Sequence, residues 1–246
     1  MFSIFSPKEF LVDHLEGLVD IHNHILPGID DGAKTVEDAI HLIKGFGEFG
    51  IQHFVATPHI MSNYYPNTPE TIKVALNKVK NTLVSENLKE VSIAAAAEHM
   101  IDDNFESLLE NNGVMPLRKN YLLVEMSYLQ ASINFDEAIQ KIGVQRFFPI
   151  LAHPERYLYL HKKQEKYKKY REQGILFQLN LLSLGNFYGK EVNKMAFKLL
   201  EEGYFDYTAS DIHNINQITY LKEIKIAKKH LEALFPIIER TIDNFY

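Results

Sequence analysis

The sequence predicts an α/β fold in which seven strand–helix units close, or nearly close, into a barrel. Short apolar segments rich in Val, Ile, Leu, Phe and Ala recur about every 30 residues, the length of one strand–helix unit. Each segment is almost continuously apolar, as strands buried on both faces of a parallel sheet are. Amphipathic helical patterns separate them. An open doubly wound sheet is the alternative fold, although neither a glycine-rich dinucleotide fingerprint nor a P-loop is present.

The predicted strands share their short length and their apolar character. In chain order they cover residues 18–22, 51–57, 91–98, 121–126, 147–153, 175–180 and 205–210. The first helix should begin at Thr35 and end near Gly47, and the second should begin around Pro69. Further helices are predicted over residues 135–143, 161–172, 189–202, 216–233 and 236–243. Three glycines fall where a helix should end before the next strand, as a C-cap would: Gly143, Gly174 and Gly203.

Composition narrows the class of protein. With 246 residues, 46% of them hydrophobic, the chain can build one sizeable core, and we predict a single domain over residues 1–246. The absence of cysteine excludes disulfides, thiolate metal sites and a cysteinyl-phosphate mechanism. A net charge of -6 without a long basic run argues against nucleic acid as a partner. No segment predicts a membrane span, and residues 1–8 lack a signal-peptide pattern, so we expect a cytoplasmic protein.

Polar clusters lie at or just past the C-terminal ends of the predicted strands, the face that holds the active site in α/β barrels. In the first, His22 and His24 point to the same side of an extended strand and could bind one cation together. A turn-rich loop with Asp30 and Asp31 follows. A polar strand end followed by an acidic turn is the alternative interpretation of this segment. Asp20 could either orient a metal ligand or serve as a satisfied strand-end carboxylate.

Two glutamates and one histidine extend this pattern. His59 follows the second predicted strand, Glu98 follows four alanines, and Glu125 interrupts an apolar strand. An unpaired buried carboxylate is costly, so a cation is its natural partner. A structural histidine and an exposed strand-edge glutamate are the alternatives. The aromatic segment 61–65 after His59 could form a substrate-contacting rim.

The last clusters are His153-Pro154-Glu155-Arg156-Tyr157 and Ser210-Asp211-Ile212-His213. Asp211 and His213 again share one side of a strand. Imidazole and carboxylate together suit zinc, manganese or iron(II). Each cluster alone is a weak signal, but their joint placement in a chain with 11 histidines predicts a metal-dependent hydrolase.

In this order the motifs resemble the PHP (polymerase and histidinol phosphatase) superfamily, and within it the manganese-dependent protein-tyrosine phosphatases of bacterial capsule and exopolysaccharide operons. The resemblance spans about residues 18–217, and Asp30-Asp31-Gly32 and the segment 153–157 are its more discriminating parts. It implies a distorted (β/α)7, TIM-like barrel of the PHP type with three divalent metal ions, often manganese, with iron or zinc as alternatives. The implied substrate is a phosphotyrosine protein, in particular a bacterial tyrosine kinase of polysaccharide export.

The resemblance also assigns roles residue by residue. One metal would be held by His22, His24, Glu98 and Asp211, a second by Glu98, Glu125 and His153, and a third by Asp31, His59 and His213. Arg156 resembles the phosphate-binding arginine of the family. A second arginine common in the family is missing from residues 214–217. His99 stands where an aromatic residue is common, and we predict that it binds substrate, with packing at the rim as the alternative.

Three functions are compatible with these features. The first is a phosphotyrosine-protein phosphatase. The second is a phosphatase for a small metabolite such as histidinol phosphate or a sugar phosphate. The third is a non-catalytic, metal-stabilised binding module, which the missing second arginine would favour.

Overall fold

A computed structural model describes residues 8–246. Residues 1–7, which make up most of the segment considered for a signal peptide, lie outside the described residues. No helix within the described range is long and apolar enough to cross a membrane.

Parallel strands form the closed barrel that the sequence predicts. The strands of the described residues are β1 (Lys8–Phe10), β2 (Val19–Asp20), β3 (His53–Ala56), β4 (His59–Ile60), β5 (Ser92–Ala95), β6 (Glu98–Met100), β7 (Tyr121–Glu125), β8 (Phe148–Ala152), β9 (Leu176–Asn180), β10 (Tyr207–Ala209) and β11 (Lys225–Ala227). β1 and β11 form a separate antiparallel pair, and β2–β10 form the barrel. One sheet has the order β10-β9-β8-β7-β6-β4 and another the order β2-β3-β5. The ring closes beyond β2 and β10, where Asn23 and Ile212 form a parallel bridge. This closure excludes the open doubly wound sheet.

Two of the predicted strands are each interrupted, and the interruptions distort the barrel. The second predicted strand, residues 51–57, corresponds to β3, and after Thr57 and Pro58 the chain continues as β4 beyond the predicted end. The third predicted strand, residues 91–98, contains β5 and the first residue of β6, which extends to Met100. The Pro58 carbonyl accepts a hydrogen bond from the Glu98 N–H at 3.1 Å. The chain then resumes so that His59 and Glu98 lie opposite each other in the β4–β6 register. The interruption therefore places two predicted metal ligands side by side.

Helices cover the outside of the barrel. They are α1 (Val36–Gly47), α2 (Pro69–Ser85), α3 (Phe105–Glu110), α4 (Phe135–Val144), α5 (Leu158–His161), α6 (Glu165–Glu172), α7 (Lys190–Glu201), α8 (Ile215–Glu223) and α9 (Lys228–Phe245). Thr35 caps α1 in a capping box with Asp38. Gly174 and Gly203 have the positive φ expected after a helix, 83° and 69°. Gly143 was wrongly predicted as a C-cap, because α4 continues through it to Val144.

Two helix predictions were wrong in their bounds. Residues 216–233 do not form one helix, because α8 ends at Glu223 and Lys225–Ala227 forms β11, which pairs antiparallel with β1. The next helix, α9, then continues through Pro236, where a helix boundary was predicted. Residues 161–172 are also divided, since α5 ends at His161 before α6 begins.

The barrel interior is apolar at one end and polar at the other. Phe245, at the end of α9, packs with its ring 5.7 Å from Tyr121 and 5.1 Å from Tyr207. These tyrosines are the first residues of β7 and β10, so α9 closes the N-terminal end of the barrel. The polar side chains gather at the opposite, C-terminal end.

Candidate active site

The structure brings all nine predicted metal ligands together at the C-terminal end of the barrel. They form four overlapping groups whose donor atoms lie within 4.8 Å of one another: His24, Asp31, His59 and His213; His22, His24 and Asp211; His22, Glu98 and His153; and His59, Glu98 and Glu125. Eight of the nine side chains lie on or next to strand ends. Asp31 lies in the loop after β2. The cluster therefore depends on the closure of the barrel rather than on any local segment.

Glu98 lies at the centre of the cluster. One of its oxygens, Oε2, is 3.2 Å from His22 Nε2 and 3.1 Å from His59 Nδ1. The other, Oε1, is 3.1 Å from His153 Nε2. The carboxylate is completely buried. This position allows one glutamate to be shared between two cations.

Two further groups flank Glu98. Asp211 Oδ1 lies 3.3 Å from Nε2 of both His22 and His24. Asp31 Oδ1 lies 3.4 Å from His59 Nε2 and 3.5 Å from His213 Nε2. Asp211 thus groups with His22 and His24 but without Glu98, whereas the implied first set includes Glu98. Asp31 groups with His59 and His213, as in the implied third set, and His24 joins that group.

The second implied set is distributed differently. Glu125 Oε1 lies 2.9 Å from His59 Nδ1, so Glu125 groups with His59 and Glu98. His153 groups instead with Glu98 and His22. Glu98 is common to both groups, as the resemblance requires of a bridging ligand.

Hydrogen bonds orient several of the imidazoles. Nδ1 of His24 lies 2.8 Å from Asp30 Oδ2, and Nδ1 of His22 lies 2.9 Å from Gln178 Oε1. His213 Nδ1 lies 2.9 Å from the Asp211 carbonyl oxygen. In all three rings Nε2 is left to face the cluster. Bonds of this kind fix the tautomer and direction of a metal-binding histidine.

The two aspartates outside the cluster have distinct roles. Asp30 does more than form a turn, because it also accepts hydrogen bonds from the backbone N–H groups of Gly32 and His59. Asp20 accepts from the Ser210 N–H and hydroxyl at 2.9 Å and 2.6 Å. It therefore acts as a satisfied strand-end carboxylate that joins β2 to the end of β10.

The backbone is strained or crowded at three places in the site. His153 and Asp211 have positive φ values of 36° and 54°, a region that non-glycine residues seldom adopt. Such residues are concentrated at functional sites. A Cβ at Gly32 would lie 1.9 Å from the His24 carbonyl oxygen, so the loop that carries Asp31 requires glycine at this point.

The donor set fits divalent cations. Among residues 8–246, buried side-chain atoms without a hydrogen-bond partner include His59 Nδ1, Glu98 Oε2, Glu125 Oε1 and His153 Nδ1. His59 Nδ1 lies as close to Glu98 Oε2 and to Glu125 Oε1 as hydrogen-bonded atoms do, yet these atoms are not oriented for hydrogen bonds. Lone pairs that converge in this way are satisfied by a cation. Imidazole nitrogens with carboxylate oxygens suit zinc, manganese and iron(II).

Charge in the cluster is unbalanced without such cations. Burial raises the pKa of Glu125, and the charge of Glu98 raises it further. Burial alone would lower the pKa of His24, but the Asp30 and Asp211 carboxylates together outweigh burial and raise this pKa to about 10. Apart from Arg156 beside Asp211, the buried carboxylates are offset by protons on the ligands themselves. Divalent ions would replace those protons.

Arg156 lies beside the cluster between two aromatic rings. Its Nη1 lies 2.5 Å from Asp211 Oδ2. The guanidinium carbon lies 4.5 Å from the centre of the Tyr128 ring and 3.9 Å from that of Tyr188. Asn180 donates a hydrogen bond to the same Asp211 oxygen at 2.8 Å. The planar cation is therefore held in one orientation at the edge of the cluster.

His99 does not reach the cavity. Its side chain is completely buried, its Nδ1 lies 2.9 Å from the Leu123 carbonyl oxygen, and its Nε2 accepts the Met115 N–H at 3.1 Å. Burial lowers its pKa to about 4, so the ring is neutral. The geometry does not support the predicted contact with substrate, nor a position at the rim, and indicates a structural role instead.

A cavity of about 950 Å³ opens above the cluster. Its floor includes Glu98, Glu125, Arg156 and Asp211. The aromatic segment 61–65 lines one side, in agreement with the rim proposed from the sequence. A cavity of this size accommodates a small organic ligand.

Sequence reasoning missed several residues that shape the site. Gln178 and Asn180 on β9 contact His22 and Asp211, and Tyr128 and Tyr188 hold Arg156. A signal for the first two was present, because they are polar residues two apart in an otherwise apolar strand. The two tyrosines lie in loops where no periodicity marks them.

A closed parallel barrel with imidazoles and carboxylates at the C-terminal strand ends defines a class of metal-binding barrel proteins. Within it, a family model described as capsular polysaccharide synthesis, CpsB/CapC, matches residues 18–232. The chain therefore belongs to the CpsB/CapC family.

Individual proteins agree with this assignment. The chain is 27% identical over 228 residues to CapC of Staphylococcus aureus, an alignment that covers 92% of this chain and 89% of CapC. It is 29% identical over 226 residues to CpsB of Streptococcus pneumoniae, which is named a tyrosine-protein phosphatase; 87% of this chain and 91% of CpsB are covered.

A solved structure shows the same fold. It is one of the crystal structures of YwqE from Bacillus subtilis and CpsB from Streptococcus pneumoniae, which are described as metal-dependent tyrosine phosphatases. The TM-score is 0.79 at 24% identity, with 93% of this chain and 96% of the other chain covered. The fold class predicted from the sequence is thereby confirmed.

Proposed function

We propose that this chain is a metal-dependent phosphotyrosine-protein phosphatase of capsule or exopolysaccharide synthesis. The observation that supports it most is the position of Arg156, fixed beside a largely buried cluster of nine candidate imidazole and carboxylate ligands at the floor of an open cavity. Membership of the CpsB/CapC family and the names of its relatives point to the same activity. The substrate would be a bacterial tyrosine kinase of polysaccharide export, and the protein would act as a single cytoplasmic domain.

The nine ligands would hold three divalent ions, manganese in particular. His22, His24, Glu98 and Asp211 would hold one, Glu98, Glu125 and His153 a second, and Asp31, His59 and His213 a third. When bound, these ions would activate water for attack on phosphorus and offset charge on the phosphoryl oxygens. Asp30 and Gln178 would keep their histidines aimed at the ions.

Arg156 would bind the phosphoryl group. A guanidinium presents two parallel N–H donors that match two phosphoryl oxygens, and the stacking on Tyr128 and Tyr188 holds its plane in place. The leaving group would be the tyrosine phenolate, whose conjugate acid has a pKa of about 10, so strong general-acid assistance is not needed. This is consistent with the absence of a buried acid aimed at the cavity beyond the ligand set in the described part of the chain.

The test is phosphate release from a phosphotyrosine peptide by manganese-loaded protein, before and after chelation. We expect turnover that chelation abolishes and manganese restores. Glu98→Gln should remove the activity, whereas Glu239→Gln, the same change on the exposed face of α9, should not. A wild-type protein that binds metal but releases no phosphate would contradict the proposal. A strong preference for histidinol phosphate or a sugar phosphate would favour the metabolite phosphatase instead.

A further inference from the structure

The cavity above the cluster continues into an apolar mouth. Leu129 and Ile133 lie in the segment 126–134 between β7 and α4, and Tyr64 lies in the segment after β4. All three line the cavity and are 90%, 98% and 76% exposed. Single exposed apolar side chains are ordinary on protein surfaces, but a group around one cavity indicates a binding surface.

Hydrogen bonds fix the first loop of this mouth. At its start, the Met126 N–H donates to the Tyr157 hydroxyl at 3.0 Å. Near its end, the Ser132 hydroxyl donates to the Ile101 carbonyl oxygen at 2.6 Å. Leu129 and Ile133 are therefore displayed on a segment anchored at both ends.

The opposite loop is fixed in a similar way. Met61 and Tyr65 exchange backbone hydrogen bonds of 3.0 Å and 2.9 Å, which form a tight turn that carries Tyr64. The Ser62 N–H donates to Asp102 Oδ2 at 2.7 Å and so ties this turn to the loop after β6. The two sides of the mouth are thus preformed, which reduces the entropic cost of binding.

The charge of the mouth is negative. Asp102 and Asp103 line the cavity, and Arg156 is the sole lysine or arginine among the described lining residues. Arg156 lies at the floor, paired with Asp211. Asp103 is exposed, and its carboxylate makes no hydrogen bond or ion pair with any residue of the range 8–246. Such a mouth repels acidic residues and favours apolar or basic ones.

We propose that this mouth, formed by Tyr64, Asp103, Leu129 and Ile133, binds the residues on either side of the phosphotyrosine in a protein substrate and prefers apolar and basic neighbours. The inference rests on the proposed phosphatase function and adds a sequence preference to it. Continuity with the floor identifies the occupant, because Tyr64, Asp103, Leu129 and Ile133 line the same cavity as Arg156. A small aryl phosphate has no flanking residues and would not use them.

The experiment compares two substrates of the manganese-loaded protein: a phosphotyrosine peptide with apolar neighbours, and p-nitrophenyl phosphate. The double variant Leu129→Ser/Ile133→Ser should lose about tenfold in kcat/KM on the peptide, as expected when two apolar contacts are removed. Its kcat/KM on p-nitrophenyl phosphate should stay within about twofold of wild type, because the chemistry at the floor is untouched.

The matched control is Val84→Ser/Val144→Ser, which removes two apolar side chains of 78% and 76% exposure outside the cavity. This control should leave kcat/KM on both substrates unchanged. If the loop double variant turns over the peptide as wild type does, the mouth does not bind the flanking residues. If kcat/KM falls equally on the peptide and on p-nitrophenyl phosphate, the loop positions catalytic groups instead, and the proposal is overturned.

The charge preference has its own test. Peptides that differ only in lysine or glutamate next to the phosphotyrosine should be distinguished several-fold by wild type at low salt, with lysine preferred, and Asp103→Lys should reverse the order. An unchanged preference in Asp103→Lys would refute the proposed preference for basic neighbours.

Fluorescence anisotropy with the same peptides separates the two proposals. Peptide binding that depends on Leu129 and Ile133 but is followed by no turnover would contradict the phosphatase function alone. No peptide binding would overturn the proposal that the mouth binds the flanking residues.

Discussion

The Arg156 guanidinium makes a charge contact with Asp211, and stacking on two aromatic rings fixes its plane. The guanidinium is stacked between Tyr128 and Tyr188 and directed at the edge of the cluster of candidate metal ligands. Residues 214–217 contain no arginine where the resemblance implies a second one, so the proposed mechanism assigns recognition of the phosphoryl group to Arg156, the one arginine among the described residues that line the cavity. The residues in that stretch instead cap α8, where the Asn214 side chain accepts from the N–H groups of Asn216 and Gln217.

Arg156→Ala should lower kcat/KM on p-nitrophenyl phosphate by about 10²-fold, the effect of losing one preorganised charge contact. Arg156→Lys should recover little of this loss, because an ammonium group offers neither the planar fork nor the stacking. Steady-state kinetics of both variants, with exposed Arg240→Ala as the control, measure the effect. Wild-type kinetics in Arg156→Ala would remove Arg156 from the mechanism.

His99 should matter for stability and not for catalysis. His99→Phe keeps a ring but leaves the Leu123 carbonyl and the Met115 N–H without their partner, at a cost of about 1–3 kcal/mol for each buried group. Denaturant unfolding should show this loss, while kcat/KM well below the melting temperature stays near that of wild type. A catalytic defect in a variant of unchanged stability would restore the substrate-binding role.

The stability that His99 provides should also depend on pH. Burial lowers its folded-state pKa to about 4, below the unfolded value of about 6.5. The neutral ring therefore stabilises the fold fully above pH 6.5, and this contribution is lost as the pH falls towards 4, because the unfolded state binds the proton more readily. The difference in unfolding free energy between wild type and His99→Phe should shrink over that window. A difference that is constant with pH would contradict a neutral buried ring.

The candidate ligands could be predicted from the sequence because strand ends mark their positions. His22, His24, Glu125 and His153 each follow or end an apolar strand, and the closure of a barrel brings such positions together. The bonds that orient them could not be derived in this way. The sequence marks Asp30 as one of two carboxylates in a turn-rich loop, but its contact with His24 depends on how this loop folds back over the strand end.

Local sequence patterns predicted helices such as α1 correctly where no strand pairing between distant parts of the chain was involved. The helix α1 begins at its capping box after Thr35 as predicted. The failure at residues 216–233 has a physical cause: Ile224, Lys225 and Ile226 alternate buried and exposed, which is a strand pattern, and β1 pairs with them. A short alternation inside a longer helical pattern is easily overlooked, and its partner strand lies more than 200 residues away.

The loop between β2 and α1 depends on one glycine. Gly32→Ala should displace the loop, because the new Cβ would lie 1.9 Å from the His24 carbonyl oxygen, with His24 and Asp31 both among the predicted ligands. We expect weaker metal binding and a loss of phosphatase activity. The control is Gly47→Ala in α1, where no heavy atom lies within 4 Å of the new Cβ and helix propensity favours alanine by about 1 kcal/mol. Metal titration of the two variants distinguishes them, and equal affinity would contradict the role of Gly32.

At the scale of the whole molecule, the two ends of the barrel differ: apolar packing stabilises one end, and the candidate active site occupies the other. The N-terminal end is closed by apolar packing of Phe245 against Tyr121 and Tyr207. The C-terminal end buries imidazoles and carboxylates that repel one another or require protons. Bound cations would therefore contribute to the stability of the fold as well as to catalysis.

Chelation should lower the melting temperature. A ligand at 1,000 times its Kd stabilises a folded protein by about 4 kcal/mol, which corresponds to a shift on the order of 10 °C for a chain of this size. Thermal denaturation with and without manganese measures it. Asp211→Asn should reduce the shift, whereas exposed Asp243→Asn should preserve it. A melting temperature that does not respond to manganese in wild type would argue against a metal centre that stabilises the barrel.

The number of divalent ions bound per chain tests the central claim most directly. Wild-type protein loaded with manganese and freed of excess metal by gel filtration should retain close to three equivalents by elemental analysis, and Glu98→Gln should retain fewer, because Glu98 lies between the groups that would hold two of the ions. Wild-type protein that emerges without bound metal would contradict the account, whatever its phosphatase activity.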